Sequence, residues 1–164
     1  AEMKVDVPML AMTHCDAAKL SKQHGKKAEY ALCASQWHKT LSYKDKFFGS
    51  GKKYDKDFTK EFGYAPPYQA AESSAALLVY KDAFERANSF DTKKVRDALA
   101  ATDMQTFYGN IKFAPGGQNV SKPMVLFQVI CNKDGSSCEN KVVAPTKWAS
   151  AKLVHPVPSW SKRK

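Results

Sequence analysis

Four consecutive residues, Thr13-His14-Cys15-Asp16, bring together a hydroxyl, an imidazole, a thiol and a carboxylate. These are the residue types of nucleophilic catalysis, which needs a nucleophile, a base and an acid. Side chains that are adjacent in sequence rarely point at one another, and cysteine catalysis gathers its partners through the fold. We therefore predict no catalytic residues and no enzymatic activity.

Metal and phosphate chemistry have little support in the residue pattern. Two cysteines and two histidines are the candidate zinc ligands: His14, Cys15, Cys33 and His38. They lack the paired Cys-x-x-Cys or His-x-x-x-His spacing of zinc sites. The glycines near position 50 lead into two lysines and are too few for a phosphate-binding loop. The sequence thus predicts neither a metal ion nor a cofactor.

The composition is that of a folded, basic chain. Its 164 residues are 43% hydrophobic, and 26 Lys and Arg against 16 Asp and Glu give a net charge of +10. That charge keeps nucleic acid and anionic surfaces open as partners. However, Tyr54, Phe58 and Phe62 recur at a spacing of four, which predicts a buried helix face rather than rings that stack on bases. We predict no nucleic-acid partner and keep a basic interaction module as the alternative function.

The first 35 residues predict a β-α-β unit. An apolar run, Val5–Met12, precedes Asp16, which is placed to cap a helix over Ala17–His24. Gly25 closes that helix, and a strand over Tyr30–Ala34 follows. Units of this kind build parallel sheets, and ligands usually bind at the loops that follow their strands.

Three helices are predicted in the middle of the chain, over about 52–62, over about 68–88 and after Asp91. The second begins with small residues, which allow a close approach to a neighbouring backbone. Four of its larger apolar positions share one face: Leu77, Tyr80, Phe84 and Ala87. The third helix has an inner face that is formed by Val95, Ala98 and Leu99.

The remaining residues predict strands. Thr106–Phe113 is expected as a strand broken at Gly109, and a turn follows at 115–119. Met124–Cys131 is expected to pair with Lys141–Ala144, ahead of an extended, proline-containing tail. Even the longest apolar run is too short to cross a membrane.

The four cysteines predict two disulfides. Cys131 and Cys138 flank a turn-rich loop between two strands, which suits a bridge across a hairpin. Cys15 and Cys33 each lie near the end of a strand, and parallel neighbours would bring those ends together. Disulfides persist in oxidising compartments, so we expect an exported protein. The first residues lack the apolar core of a signal peptide, and we expect such a segment to be removed or to lie upstream.

The order of several segments resembles the C-terminal half of the periplasmic substrate-binding proteins of ABC importers, in the branched-chain amino acid group. The matching stretches begin with Tyr64-Ala-Pro-Pro-Tyr-Gln-Ala-Ala-Glu72 and Ala83-Phe-Glu-Arg-Ala-Asn-Ser-Phe-Asp91. They continue with Thr106-Phe-Tyr-Gly-Asn-Ile-Lys-Phe113 and Gly117-Gln-Asn119. The resemblance implies an α/β, type I periplasmic-binding-protein-like fold, two-lobed with parallel sheets flanked by helices, of which only the C-terminal portion is present.

The resemblance also implies how the segments divide. Residues 1–37 would form a second-lobe β-α-β segment, and residues 38–109 would be helices that pack on the first lobe. Residues 110–164 would return to the second lobe as strands and tail, so that the basic ends of the chain share one lobe. The N-terminal half would be supplied by the same or a separate chain.

Ligand contacts follow from the same resemblance. The loop after the first strand supplies Thr13, His14 and Asp16, although a neutral Thr or His would not pair with a ligand ammonium as a carboxylate does. Asp16 could equally be a plain helix cap. The start of the long helix supplies Tyr68 and Gln69, and Trp37 would wall off the ligand or pack at a hinge.

The expected function is that of a solute-binding component of an ABC importer in the periplasm. It would bind a small polar organic solute, an amino acid or a related carboxylate or amide, between two lobes and deliver it to the permease in the inner membrane. Basic charge would favour an anionic solute.

Overall fold

A computed structural model describes residues 5–13 and 15–163. The chain divides into two compact units, of which unit 1 comprises residues 1–35 and 124–164 and unit 2 comprises residues 36–123. Residues 110–123 were expected with the C-terminal segment, but they belong to unit 2. The reason is that the strand Asn110–Lys112 pairs with Asp103–Gln105, which precedes it by a short turn.

The elements follow one another closely along the chain. In its first half they are β1 (Ala11–Met12), α1 (Ala17–His24), β2 (Leu32–Ser35), β3 (Lys44–Asp45), β4 (Gly49–Ser50) and α2 (Gly51–Phe62). In its second half they are α3 (Tyr68–Ala87), α4 (Thr92–Ala100), β5 (Asp103–Gln105), β6 (Asn110–Lys112), β7 (Val125–Cys131) and β8 (Cys138–Ala144). Short 3-10 helices lie at Gly25–Ala28, Thr146–Trp148 and Trp160–Lys162.

Unit 1 is built on a four-stranded sheet in the order β1-β2-β7-β8. β1 runs parallel to β2, as the β-α-β pattern predicted, whereas β2 with β7 and β7 with β8 are antiparallel pairs. The sheet is therefore mixed rather than parallel. The hairpin between Cys131 and Cys138 forces this outcome, because a short connection can join only antiparallel neighbours.

Helix α1 has the ends that the sequence predicted. The Asp16 side chain accepts a hydrogen bond from the Lys19 amide at 3.0 Å, and Gly25 ends the helix at a φ of 55°. The helix lies against β8, and the Ser21 hydroxyl donates to the Gly135 carbonyl at 3.1 Å. The cap therefore fixes where the loop after β1 ends and the helix begins.

A buried glutamine fastens the tail to the sheet of unit 1. Gln128 on β7 is fully buried, and its amide nitrogen donates to the carbonyls of Tyr30 and Val154 at 3.2 and 3.0 Å. Its side-chain oxygen accepts from the Val154 amide at 2.8 Å. Further along the tail, the Val157 amide donates to the Pro8 carbonyl at 2.9 Å. The first and last described segments of the chain thus lie together in unit 1.

Unit 2 is mainly helical. Ser50 caps α2 by accepting from the Lys53 amide at 3.3 Å, and Gly63 ends it in the left-handed conformation at a φ of 77°. α3 contacts α4. The buried residues are Ala71, Ala75, Leu78, Val79 and Ala83 on α3, and Val95 on α4. The small residues Ala71 and Ala75, near the start of α3, are therefore buried.

The larger apolar residues of α3 face outward. Leu77 is 70% exposed and Tyr80 is 49% exposed. The Tyr80 and Phe84 rings lie 6.2 Å apart, and Phe90, just beyond the helix, lies 5.3 Å from Phe84. We call these four residues the outer α3 face. Within unit 2 this face is left uncovered.

An aromatic cluster forms the centre of unit 2. Phe107 is fully buried, and its ring stacks on Tyr54 with centroids 4.2 Å apart. Phe48 and Trp37 meet the same ring at 5.1 and 6.1 Å. On the helix face of α2 that was predicted to be buried, Tyr54 is buried, whereas Phe62, two turns further on, is exposed.

The segment expected as one broken strand, Thr106–Phe113, begins instead as a turn. Thr106 and Gly109 exchange two backbone hydrogen bonds, at 2.9 and 3.1 Å, so the chain reverses between β5 and β6. Phe107 is held in that turn from both sides, because its amide donates to Asp45 at 2.7 Å and its carbonyl accepts from the Trp37 indole at 3.4 Å. The turn is therefore a fixed platform for Tyr108.

The basic excess is shared by the two units. Unit 1 carries 12 basic and 6 acidic side chains, and unit 2 carries 14 and 10. Unit 2 has a positive excess because α2 and the residues before it are rich in lysine. That the basic ends of the chain share one lobe stays a prediction. Among the described residues, no helix combines the length and the apolar character that a bilayer span requires.

Candidate functional site

The loop after β1 is held from two sides within unit 1. Cys15 forms the predicted disulfide with Cys33, with Cα atoms 5.8 Å apart, and its carbonyl accepts from the Asn140 side chain at 3.1 Å. Thr13 is exposed beside this anchor, and His14 lies outside the described residues. The second predicted disulfide, Cys131 to Cys138, closes the β7–β8 hairpin. A polar, exposed loop tip on a rigid base is what a binding site needs.

Asp16 has the structural role that was its alternative assignment. Its Oδ1 is engaged by the Lys19 amide, yet the residue is exposed and follows Thr13 by three positions. A carboxylate has two oxygens, and the cap uses one of them, so capping and ligand binding are compatible at this position.

The two residues predicted at the start of α3 lie in unit 2. Tyr68 is half-buried and Gln69 is exposed, and Pro67 precedes the helix without a side-chain cap. Glu72 follows one turn later and is also exposed. The first turn of α3 therefore presents a phenol, an amide and a carboxylate.

Trp37 is buried in the aromatic cluster of unit 2. Its side chain is only 4% exposed and meets the Tyr54 and Phe107 rings edge-on at 5.8 and 6.1 Å. The aromatic cluster therefore takes up the ring, and of the two roles weighed for it the structure favours packing.

Sequence reasoning missed a cationic site in unit 2. The Lys122 ammonium lies 4.2 Å from the centroid of the Tyr108 ring and donates a hydrogen bond to the Gln36 carbonyl. Its alkyl stem crosses Gly109, where a Cβ would collide with the Lys122 side chain. No spacing rule connects positions 36, 108 and 122, so only the fold reveals this cluster.

Burial dominates the electrostatics of that cluster. Desolvation lowers the pKa of Lys122 from 10.5 to about 8, against the opposing attraction of Glu72. Burial also raises the pKa of Tyr108, with smaller contributions from Glu72 and Tyr68. These interactions connect Lys122 and Tyr108 with the first turn of α3.

The lowered pKa of Lys122 predicts a pH-dependent stability. Below pH 8 the amine is protonated in both the folded and the unfolded chain. Between pH 8 and 10.5 the unfolded chain binds the proton and the folded chain does not, so the free energy of unfolding rises with pH. From pH 8 to 9.5 we expect the wild type to gain about 1–2 kcal/mol relative to Lys122→Met, measured by urea unfolding. Parallel curves for the two proteins would contradict this assignment.

In the part of the chain that the structure describes, no three His, Cys, Asp or Glu side chains converge as a metal site would require.

Comparison with known proteins identifies the family. The family model described as periplasmic binding protein matches residues 2–136. The chain belongs to this family. The resemblance seen in the sequence is thereby confirmed.

Solved structures agree on the fold of this periplasmic binding protein. The leucine-binding protein LivK from Thermotoga maritima aligns over 79% of the chain at 23% identity, with a TM-score of 0.60. A periplasmic binding protein from Burkholderia mallei aligns over 84% at 15% identity, with a TM-score of 0.62. The branched-chain amino acid transporter substrate-binding protein LivJ from Streptococcus pneumoniae, solved with isoleucine, aligns over 76% at 15% identity, with a TM-score of 0.54.

The alignments cover only part of those proteins. The chain spans 35% of LivK, 38% of the Burkholderia protein and 34% of LivJ. It therefore corresponds to about a third of the length of the solved relatives that it matches, and the likeness establishes the periplasmic binding protein fold.

Proposed function

We propose that the chain acts in the solute-binding component of an ABC importer. Its ligand is a small polar organic solute, an amino acid or a related carboxylate or amide, which is passed to a permease in the inner membrane. Membership of the periplasmic binding protein family, matched over residues 2–136, carries this proposal. Proteins of this kind bind by closing around the solute, and the closed form is the one that a permease distinguishes.

The two disulfides support a periplasmic location. Cys15–Cys33 and Cys131–Cys138 use every cysteine of the chain. Disulfides persist in oxidising compartments such as the periplasm and are rare in the cytosol. We therefore place the working protein outside the inner membrane.

We propose ligand contacts at two places in the chain, each of which lies within one unit. In unit 1 these are Thr13, His14 and Asp16, in the loop that the Cys15–Cys33 bridge anchors. In unit 2 they are Tyr68 and Gln69, at the start of α3. Hydroxyl and amide groups accept and donate hydrogen bonds, while a carboxylate pairs with an ammonium group. This set suits a polar or zwitterionic solute.

We also propose that a further part of the same binding protein, on this or a separate chain, covers the outer α3 face. Leu77, Tyr80, Phe84 and Phe90 form a continuous exposed apolar surface, which folded proteins seldom leave bare. The relatives are about three times as long as the stretch matched here, so they contain chain that could supply such a cover.

A thermal-shift panel tests the proposed function. Amino acids, aromatic acids and dicarboxylates are titrated against the purified chain, and one class is expected to raise the melting temperature saturably. A chain that responds to none of them, while binding oligonucleotides in a salt-sensitive way, would support the basic interaction module instead. That alternative is already weakened, because the Trp37 and Tyr54 rings are buried and cannot stack on bases.

A matched pair of cap variants tests the contact proposed for Asp16. Asp16→Asn keeps a cap acceptor and removes the charge, and Asp91→Asn does the same at α4, where Asp91 accepts from the Lys94 amide at 3.0 Å. We expect both variants to fold, and only Asp16→Asn to weaken binding of an ammonium-bearing solute, by about tenfold in calorimetric titration. Equal affinities in the two variants would leave Asp16 as a cap alone.

A further inference from the structure

Several residues of unit 2 hold the Lys122 side chain in place. Its stem passes over Gly109, a position where any side chain would collide with it, and its ammonium lies against the face of the Tyr108 ring. The turn that carries Tyr108 is fixed through Phe107 by Asp45 and by the Trp37 indole. Several distant parts of the sequence therefore combine to hold one ammonium group in place.

The ammonium of Lys122 is incompletely neutralised. Among the described residues no ion pair within 4 Å includes Lys122, and its hydrogen bond goes to the Gln36 carbonyl. An ammonium has three N–H donors, so the hydrogen bond to Gln36 does not exhaust them. A desolvated cation is costly to keep without a counter-charge, and half-burial leaves this one reachable from solvent.

The neighbourhood of Lys122 is the first turn of α3. Glu72 acts on both Lys122 and Tyr108, and Tyr68 acts on Tyr108. Tyr68 is one of the residues proposed to contact the solute. A group held by Lys122 would therefore lie beside contacts that the sequence had assigned to the ligand.

We propose that Lys122 is a specificity-determining residue that binds the carboxylate of the solute through N–H donors that the Gln36 carbonyl does not use. This inference rests on the proposed function, and it narrows the solute class to compounds with a free carboxylate. The Tyr108 ring and the Gln36 carbonyl hold the ammonium before the solute arrives. Charge-assisted hydrogen bonds of this kind discriminate strongly against a neutral amide at the same position.

The test compares acids with their own amides. L-Isoleucine with L-isoleucinamide, benzoate with benzamide, and succinate with succinamide are titrated calorimetrically into the 164-residue chain at pH 7. Three variants are compared: Lys122→Met, Lys122→Arg and Lys112→Met. Lys112 is a matched control in the same unit, an exposed lysine whose charge is paired with Asp103 at 2.5 Å.

The expected result is a preference for the acid in at least one pair. Lys122→Met should reduce that acid's affinity by about 10- to 100-fold and change the amide's affinity little. Lys122→Arg should retain the preference, and Lys112→Met should behave like the wild type. Circular dichroism of each variant verifies that it is folded.

Two outcomes overturn the inference and are distinguishable. If Lys122→Met and Lys112→Met prefer the acid over its amide equally, Lys122 only supports the backbone through its hydrogen bond to Gln36. The inference then fails, while the proposed function survives. If the folded wild type binds no member of any pair and responds to nothing in the wider solute panel, the proposed function fails and this inference fails with it. Should Lys122→Met not fold, Lys122→Gln replaces it, because glutamine keeps a hydrogen-bond donor and removes the charge: loss of the acid preference then supports the inference, and retention overturns it.

Discussion

Phe107→Ala is expected to destabilise unit 2 by about 3–5 kcal/mol. Phe107 is fully buried, stacks on Tyr54 at 4.2 Å and contacts Phe48 at 5.1 Å. Truncating it removes the apolar surface of a whole ring and leaves a cavity that the rigid neighbouring rings cannot fill. The measurement is urea unfolding followed by circular dichroism and by tryptophan fluorescence, to which Trp37 contributes from the same cluster.

Phe90→Ala provides the control for that experiment. Phe90 is 88% exposed, so its truncation should change the free energy of unfolding by less than about 0.5 kcal/mol. A similar loss in both variants would show that the aromatic cluster does not form the core of unit 2.

Replacing Cys15 and Cys33 together by alanine is expected to cost about 3 kcal/mol of stability. The bridge closes a loop with a sequence separation of 18, which contains α1 and follows directly on the polar residues after β1. The Cys131–Cys138 bridge spans only 7 positions in a hairpin that the strand pairing already closes, so its removal should cost less. Denaturant unfolding of the two double variants compares them directly.

Mass measurement after alkylation tests both bridges in the intact chain. Without reductant we expect no cysteine to be labelled, even in denaturant, and after reduction we expect all four. Four thiols labelled in the native, unreduced protein would exclude both bridges and remove the argument for an oxidising compartment.

Local signals in the sequence predicted the ends of the helices well. Asp16 and Asp91 cap α1 and α4, and Gly25 and Gly63 end α1 and α2. Such signals succeed because a cap satisfies free backbone amides within its own helical turn, whatever lies further away. The cysteine spacing across the β7–β8 hairpin is local in the same sense.

The errors arose where packing decides between local alternatives. The segment 106–113 has the composition of a strand, but the two hydrogen bonds between Thr106 and Gly109 make its first half a turn. On α3 two faces are apolar: the face with Ala71, Ala75 and Ala83 is buried, and the face with Leu77 and Tyr80 is exposed. The pattern of apolar residues alone does not say which face has a partner within the unit.

In the candidate site, too, local sequence signals identified some residues, and only the fold identifies the others. The sequence and its family resemblance identified the loop after β1 and the start of α3, since both are marked by residues that lie close together in the chain. Lys122 escaped notice because its partners, the Gln36 carbonyl and the Tyr108 ring, are distant in sequence. The role of a lysine depends on how deeply its side chain is buried, and the amino-acid composition does not reveal burial.

The interleaving of the two units sets an order for biosynthesis. Residues 36–123 form one continuous segment, and β2 cannot pair with β7 until that whole segment has been synthesised. Until then β1 and β2 present an unpaired strand edge, the kind of surface that invites intermolecular association. A nascent chain with this layout would benefit from a chaperone that shields its first 35 residues until the last strands arrive.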